Sequence, residues 1–189
     1  MILLIWVIEM KRFLTDKLIE WKNSKYRKPL ILRGARQVGK TYILKDFANT
    51  YYDNMAYFNF DHDSSLADLF VNTKDPKRII EQLSFVVGRK IEPVNTLIIF
   101  DEVQECPDAL NSLKYFAEET PEYHIVAAGS LLGIKLSHTS FPVGKVDYLT
   151  LYPMTFSEFL IADGKENLVN YMKSIKEIQE IPKIFDEQL

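Results

Sequence analysis

The amino-acid sequence predicts an α/β fold in which helices flank a largely parallel central sheet. Short apolar runs that suit buried strands alternate with longer segments that carry apolar residues at helical spacing. The chain has 189 residues, enough for one domain or for one domain with a short extension. Its 47% hydrophobic and 26% charged residues are typical of a globular protein, so we expect a packed core between the sheet and its helices.

The predicted elements alternate in order. An amphipathic helix is predicted in residues 11–22, because Leu14, Leu18 and Trp21 recur at helical spacing. Further helices are predicted at 40–48, 64–71, 75–88 and 108–119, and strands at 30–32, 55–60, 96–100, 124–128 and 146–151. Asp75 before Pro76 predicts a helix start, and Thr155 with Glu158 has the spacing of a capping box.

The two ends of the chain need separate interpretations. The apolar opening, residues 1–8, is too short for a membrane span, which needs about 20 residues, and Met10 is an alternative start. At the other end, an apolar stripe predicts a helix that ends at Pro182. Either this helix folds back on the domain or it begins a further domain. The stripe consists of Leu168, Met172, Ile175, Ile178 and Ile181.

Composition limits the classes of function. The single cysteine, Cys106, excludes an intrachain disulfide and suits a reducing compartment, so we expect a cytoplasmic protein and a structural role for this thiol. A net charge of -3 gives no overall basic field. A nucleic-acid partner would therefore have to bind a local patch.

Residues 34–41 form a phosphate-binding loop by their pattern, G-x-x-x-x-G-K-[ST]. Glycines let such a loop wrap so that backbone amides face a phosphate, and the helix that follows adds the positive end of its dipole. The lysine is expected to contact the β- and γ-phosphates of ATP, and the threonine hydroxyl to bind Mg²⁺. The nucleotide-binding residues are predicted to be Gly34, Ala35, Arg36, Gln37, Val38, Gly39, Lys40 and Thr41, with the Arg36 side chain pointing outward.

An acidic pair completes the predicted site. Asp101 and Glu102 follow an apolar strand. Asp101 lies 60 residues after Thr41. Ligands lie beyond the carboxyl ends of parallel strands, so we expect Asp101 to emerge beside the phosphate loop, where it holds Mg²⁺ through the hydration shell of the ion. Glu102 is expected to polarise the attacking water, which makes Glu102 and Lys40 candidate catalytic residues for ATP hydrolysis.

Two further polar residues have two interpretations each. Ser130 follows the fourth predicted strand; it either senses the γ-phosphate as a catalytic residue or is a turn serine. Lys145 precedes the last strand; it is either a solvated lysine, which we favour, or a cation for developing phosphate charge.

These segments together resemble a widespread group of bacterial and archaeal AAA-type ATP-binding proteins. The resemblance covers about residues 10–165 and lies in four stretches, 30–41, 98–104, 127–133 and 151–160. It implies a P-loop NTPase fold of three layers, αβα, with additional helices at both ends. Family members continue into a C-terminal domain, and many have arginine near the position of Lys145.

The resemblance divides the chain into three parts. Residues 1–22 are an N-terminal segment and helix, 23–165 the AAA-type P-loop ATPase domain, and 166–189 the helical start of a missing C-terminal region. It implies ATP and Mg²⁺ as cofactors, ATP hydrolysis that is weak or absent in this fragment alone, and a homo-oligomer as one assembly.

Three functions are open from the residues. The first is an ATPase that drives work on a protein or nucleic-acid partner, without membrane attachment. The second is a binding module gated by ATP occupancy, with little or no hydrolysis. The third, a small-molecule kinase, is disfavoured because only Arg78 and Arg89 lie between the two motifs. Guanine specificity is also disfavoured, because no Asn-Lys-x-Asp sequence occurs.

Overall fold

The computed structural model describes residues 12–130 and 144–175, which fall into two compact units, each described by itself. The larger unit, Leu14–Pro153, contains five helices and five strands among its described residues. Its helices are α1 (Leu14–Asn23), α2 (Lys40–Tyr51), α3 (Leu66–Val71), α4 (Pro76–Val86) and α5 (Pro107–Glu119). Its strands are β1 (Leu30–Arg33), β2 (Asn54–Asn59), β3 (Thr96–Asp101), β4 (His124–Gly129) and β5 (Asp147–Thr150).

The five strands form one parallel sheet in the order β2-β3-β4-β1-β5. The pairing of β2 with β3 sets Asn59 opposite Asp101, and the pairing of β1 with β4 sets Arg33 opposite Gly129. All these residues lie at the carboxyl ends of their strands. Strand β4 lies between β1 and β3, so one strand separates the end of β1 from Asp101 at the end of β3.

Alternate strand residues pack against helices on opposite faces of the sheet. On β1, Leu30 and Leu32 contact the cluster that contains residues of α1 and α2, such as Trp21 and Phe47. Ile31 belongs to the other cluster, which contains residues of α3, α4 and α5. Strands β3 and β4 divide their buried residues in the same way. This confirms the predicted three-layer αβα fold with a parallel central sheet.

The smaller unit contains Arg12, Phe13 and residues 154–175 among its described part. Helices α6 (Phe156–Ala162) and α7 (Glu166–Ser174) pack through Leu160, Leu168 and Val169. The predicted capping box begins α6: the Thr155 hydroxyl accepts a hydrogen bond from the Glu158 amide at 3.2 Å. The Glu158 carboxylate accepts one from the Thr155 amide at 2.8 Å.

The structure confirms the predicted strands and helices of the larger unit, with shifts of a few residues at their ends. Helix α2 extends three residues beyond the predicted end, and α4 ends two residues before it. Asp75 caps α4 by accepting a hydrogen bond from the Lys77 amide at 2.9 Å, with Pro76 in the first helical turn. A 3₁₀ turn, Val103–Glu105, precedes α5 and was not predicted.

Some predictions fall outside the described residues. These are the apolar opening, the alternative start at Met10, and the part of the tail stripe that includes Ile178 and Ile181. Of the rest of the stripe, Leu168 is buried, Met172 is exposed and Ile175 follows the last helical residue. Within residues 12–130 and 144–175, no helix combines the length and apolar character that crossing a bilayer requires.

Candidate nucleotide-binding site

The phosphate-binding loop connects β1 to α2, as the pattern requires. Gly39 is the N-cap of α2 and has a φ of 93°, a left-handed conformation that glycine adopts without strain. Because Gly39 offers no capping side chain, the first-turn amides of α2 lack both a capping group and an intrahelical partner. The loop therefore presents unpaired donors at the positive end of a helix dipole.

Gly34 is required at the start of the loop for a different reason. A Cβ atom at this position would lie only 2.4 Å from the backbone oxygen of Leu151, in the segment that follows β5. The Leu151 amide in turn donates a hydrogen bond to the Arg33 oxygen at 2.7 Å. The loop thus begins where two backbones approach too closely for any side chain.

Lys40 lies in the first turn of α2, with 7% of its surface exposed. Its ammonium group donates to the backbone oxygens of Gly34 and Ala35, at 3.0 and 2.7 Å. Burial lowers the pKa of Lys40 from its ordinary value, and the carboxylates of Glu102 and Asp101 partly oppose this shift. The cation is therefore held within the loop and close to the acidic pair.

Thr41 and Asp101 meet at the carboxyl end of the sheet. The Thr41 hydroxyl donates a hydrogen bond to Asp101 Oδ2 at 2.7 Å, although the two residues are 60 apart in sequence. Asp101 is 1% exposed, and its other oxygen, Oδ1, accepts from the Glu102 amide at 3.1 Å. The structure thus brings a hydroxyl and a carboxylate together, and both are hard oxygen ligands of the kind that Mg²⁺ prefers.

Glu102 has a left-handed backbone conformation, with a φ of 51°. Such a φ is uncommon outside glycine and is concentrated at functional sites. The Glu102 carboxylate accepts a hydrogen bond from Gln104 Nε2 at 2.5 Å. Glu102 and Gln104 line the same cleft as residues of the phosphate loop.

Ser130 directly follows β4, the strand that lies between β1 and β3. Its hydroxyl oxygen is buried, and it is one of several buried side-chain atoms among the described residues that have no hydrogen-bond partner. A buried hydroxyl without a partner is unfavourable in a native protein and needs an explanation. A ligand oxygen between the phosphate loop and the acidic pair is one such explanation.

A cleft of about 560 Å³ is lined by residues of both motifs. From the loop and α2 come Arg36, Gln37, Gly39, Lys40, Thr41 and Tyr42, and from the opposite side come Asp61, Glu102, Gln104 and Glu105. Arg36 is exposed and is one of the residues that line this cleft. Ala35 is exposed and Val38 is half-buried.

Two other predicted residues lie in different surroundings. Lys145 forms a half-exposed ion pair with Glu118, with Nζ and Oε1 at 2.9 Å. Cys106 is buried in the core beside α5, and burial raises the pKa of its thiol.

Two residues of β2 that the sequence motifs do not predict also belong to the site. The Tyr57 hydroxyl donates to Asp101 Oδ2 at 2.8 Å, and Asn59 Nδ2 donates to the Tyr57 oxygen at 3.2 Å. Desolvation, as the largest cause, raises the pKa of Tyr57 to about 12, so the phenol is protonated at neutral pH. The sequence does contain one signal: on β2, residues with polar groups alternate with apolar residues. In the structure Tyr57 and Asn59 are half-buried, and they alternate with the buried Ala56, Phe58 and Phe60.

The residues present suit ATP with magnesium. The loop has no side chain at Gly34, where its backbone lies close to that of Leu151, and none at Gly39, where the backbone conformation is left-handed. Thr41 and Asp101 supply a hydroxyl and one carboxylate, a set that fits a hydrated Mg²⁺ shared with phosphates better than a cation caged by protein alone.

Comparisons with known proteins bear on the family and the fold of the chain. Residues 26–160 match the family described as AAA domain. No curated protein matches the chain. Among solved structures, a chain of "Structure of Drosophila ORC bound to DNA" aligns with a TM-score of 0.52 and 16% identity, over 84% of this chain and 48% of that chain.

Two other solved structures align less closely. C. elegans PCH-2 gives a TM-score of 0.40 at 15% identity, over 82% of this chain and 43% of that chain. The Pif1 helicase of Candida albicans gives a TM-score of 0.41 at 11% identity, over 87% of this chain and 43% of that chain. This chain spans less than half the length of each of the three.

The family match covers both motifs and all five strands, and the Drosophila structure shares the fold. The chain belongs to the AAA domain family, whose function is of the nucleotide-binding ATPase type.

Proposed function

We propose that this chain binds ATP together with Mg²⁺ and hydrolyses ATP, and that it couples hydrolysis to work on a protein or nucleic-acid partner. The observation that carries the proposal is the 2.7 Å hydrogen bond between Thr41 and Asp101. It joins the last residue of the phosphate loop to the acidic motif. If residues 34–41 were only a glycine-containing surface turn and the acidic pair were unrelated to it, we would not expect this contact.

Each residue of the site has a defined task in this proposal. The amides of residues 34–41 and the Lys40 ammonium bind the β- and γ-phosphates. The ammonium exchanges its hydrogen bonds to the Gly34 and Ala35 oxygens for bonds to anionic oxygens. Thr41 and Asp101 hold Mg²⁺, which when bound neutralises charge on the transferred phosphoryl group. Ser130 orients the γ-phosphate through its buried hydroxyl, and Glu102 accepts a proton from the attacking water.

Nucleotide binding is tested by titrating a fluorescent ATP analogue into the wild type and the Lys40→Ala variant. The loss of a charge-assisted phosphate contact is expected to weaken binding by about 2–3 kcal/mol, roughly 30- to 150-fold. Equal affinities of the two proteins would refute the assignment of the phosphate loop.

Hydrolysis is tested by phosphate release from the wild type and from Glu102→Gln. Removal of a general base is expected to lower the rate roughly a hundredfold or more while leaving ATP affinity nearly unchanged. Glu105→Gln is a matched control, because Glu105 lines the same cleft but is exposed and lies on the 3₁₀ turn. Equal rates in the wild type and Glu102→Gln, both above background, would contradict the role of Glu102.

A binding module gated by ATP occupancy is the second candidate. It is favoured by the contact between Gln104 and Glu102, since a carboxylate already bound to an amide is less available to a water molecule. Under this alternative, ATP binds but is not turned over, even in a longer chain that includes further C-terminal sequence. In that case Gln104→Ala is expected to raise the rate of phosphate release.

Assembly and domain organisation are further parts of the proposal. A neighbouring copy in a homo-oligomer would supply an arginine that completes the γ-phosphate site. The start of an additional C-terminal region at residues 166–189 remains a prediction.

A further inference from the structure

The Asp101 carboxylate is held from three directions. Oδ2 accepts from the Thr41 hydroxyl at 2.7 Å and from the Tyr57 hydroxyl at 2.8 Å, and Oδ1 accepts from the Glu102 amide at 3.1 Å. A carboxylate has about four acceptor positions, two on each oxygen. Among the contacts of the described residues, one position on Oδ1 is therefore left for a ligand. A second position opens on Oδ2 when the Thr41 hydroxyl binds a metal ion instead of Asp101.

Asn59 sets the direction of the Tyr57 hydroxyl. Asn59 Nδ2 donates to the Tyr57 oxygen at 3.2 Å, which uses that oxygen as an acceptor and leaves its proton for Asp101. The amide of Asn59 is itself oriented, because its Oδ1 accepts from the backbone amides of Asp61 and His62, each at 3.0 Å. Every donor in this chain of hydrogen bonds thus points toward Asp101.

The β2–β3 pairing explains why these residues meet. Asn59 lies opposite Asp101 in the sheet, and Tyr57 is two residues earlier on the same face of β2. The Tyr57 ring has a contact that does not involve its hydroxyl, because Lys45 Nζ lies 3.9 Å from the ring centroid. The phenol is therefore supported by contacts that do not depend on the metal site.

We propose that Tyr57 is a positioning residue for the Asp101 carboxylate, and that Asn59 fixes the direction of its hydroxyl. With Tyr57 on Oδ2 and the Glu102 amide on Oδ1, the plane of the carboxylate is set, and one acceptor position on each oxygen faces the waters of hydrated Mg²⁺. This inference rests on the proposed binding of Mg²⁺ with ATP. It extends the magnesium site to a strand that lies outside both sequence motifs.

The test is a magnesium titration of binding of the fluorescent ATP analogue, compared with binding in EDTA. Tyr57→Phe removes the hydroxyl and keeps the ring with its Lys45 contact. We expect the magnesium concentration for half-maximal binding to rise roughly tenfold, the effect of losing a hydrogen bond to a charged group, while the affinity in EDTA stays within about twofold. Tyr26→Phe is the control, since Tyr26 is 89% exposed.

The outcomes separate the inference from the proposed function. If the wild type binds the analogue equally with and without Mg²⁺, the proposed function fails and the inference fails with it. If the wild type requires Mg²⁺ and Tyr57→Phe has the same midpoint, the inference alone is wrong. A lower midpoint in Tyr57→Phe also overturns it, because the hydroxyl would then compete with the metal's waters instead of positioning the carboxylate.

A second variant tests the direction of the hydroxyl. Asn59→Ser keeps a side-chain oxygen that can accept hydrogen bonds from the backbone amides of Asp61 and His62. Serine is, however, too short to reach the Tyr57 oxygen. We expect a shift of the magnesium midpoint in the same direction, about threefold, and no additional shift in the Tyr57→Phe background. Additive shifts in the double variant would contradict a shared path through the phenol. If Tyr57→Phe does not fold, a wild-type midpoint in Asn59→Ser overturns the inference.

Discussion

The substitution Gly34→Ala tests whether a close backbone approach fixes the start of the phosphate loop. The added Cβ would lie 2.4 Å from the Leu151 oxygen, about 1 Å inside ordinary contact between carbon and oxygen. No change of a side-chain rotamer can relieve this clash, because the obstacle is the backbone carbonyl of Leu151. The backbone there is held in place, since the Leu151 amide donates a hydrogen bond to the Arg33 oxygen. Forced shifts of this kind cost about 1–3 kcal/mol.

The assay is urea unfolding together with binding of the ATP analogue. With a loss of about 2 kcal/mol and a slope of about 2 kcal/mol per molar urea, the midpoint should fall by roughly 1 M. Nucleotide affinity should fall as well, because the segment after β5 and the phosphate loop must move apart.

Gly88→Ala is the matched control for this experiment. Gly88 has a φ of 67° and no atom within 4 Å of a Cβ placed there, so alanine adds only backbone strain, about 1 kcal/mol. Its ATP affinity should equal that of the wild type. The reasoning is refuted if Gly34→Ala loses no more stability than Gly88→Ala and binds the analogue with wild-type affinity.

Three further predictions concern buried groups. Burial, aided by the nearby Arg27 and Lys22, lowers the pKa of His124 to about 4. The unfolded chain takes up the proton near pH 6.5, so the free energy of unfolding should fall by about 2 kcal/mol between pH 7.5 and pH 5. The urea midpoint of the His124→Gln variant should lose most of this pH dependence. Glu158→Ala should cost about 3 kcal/mol in urea unfolding, since it leaves the 6% exposed Arg12 without the carboxylate that its Nε contacts at 3.1 Å. Cys106, the single cysteine, should react with an aromatic disulfide reagent only as fast as the core opens, so native protein should react at least about a hundredfold more slowly than protein in urea.

The sequence was sufficient to predict the main parts of the site because each part has a local signature. The phosphate loop must follow a strand and open a helix, and both conditions are visible in residues 30–48. Asp101 was identifiable because an apolar strand ends in a carboxylate. Its contact with Thr41 follows from the rule that parallel strands bring their carboxyl ends to one edge.

The neighbours of each strand could not be predicted in the same way. Sequence order gives no direct measure of which strands pair, so the position of β4 between β1 and β3 is known only from the structure. For the same reason the sequence places Tyr57 only within the strand predicted at residues 55–60. Its role depends on the register that sets Asn59 opposite Asp101. The left-handed backbone at Glu102 also has no local signal, because glutamate rarely adopts it.

The order of strands has a consequence for how the protein is made. Strand β1 is synthesised first, yet Leu30 pairs with Val126 on one side and Asp147 on the other. Parallel pairing between such distant segments closes large loops and is intrinsically slow. During translation the nucleotide pocket therefore cannot mature until residue 150 has left the ribosome. A nascent chain arrested earlier would leave the backbone edges of β1 unpaired and open to chaperones or to aggregation.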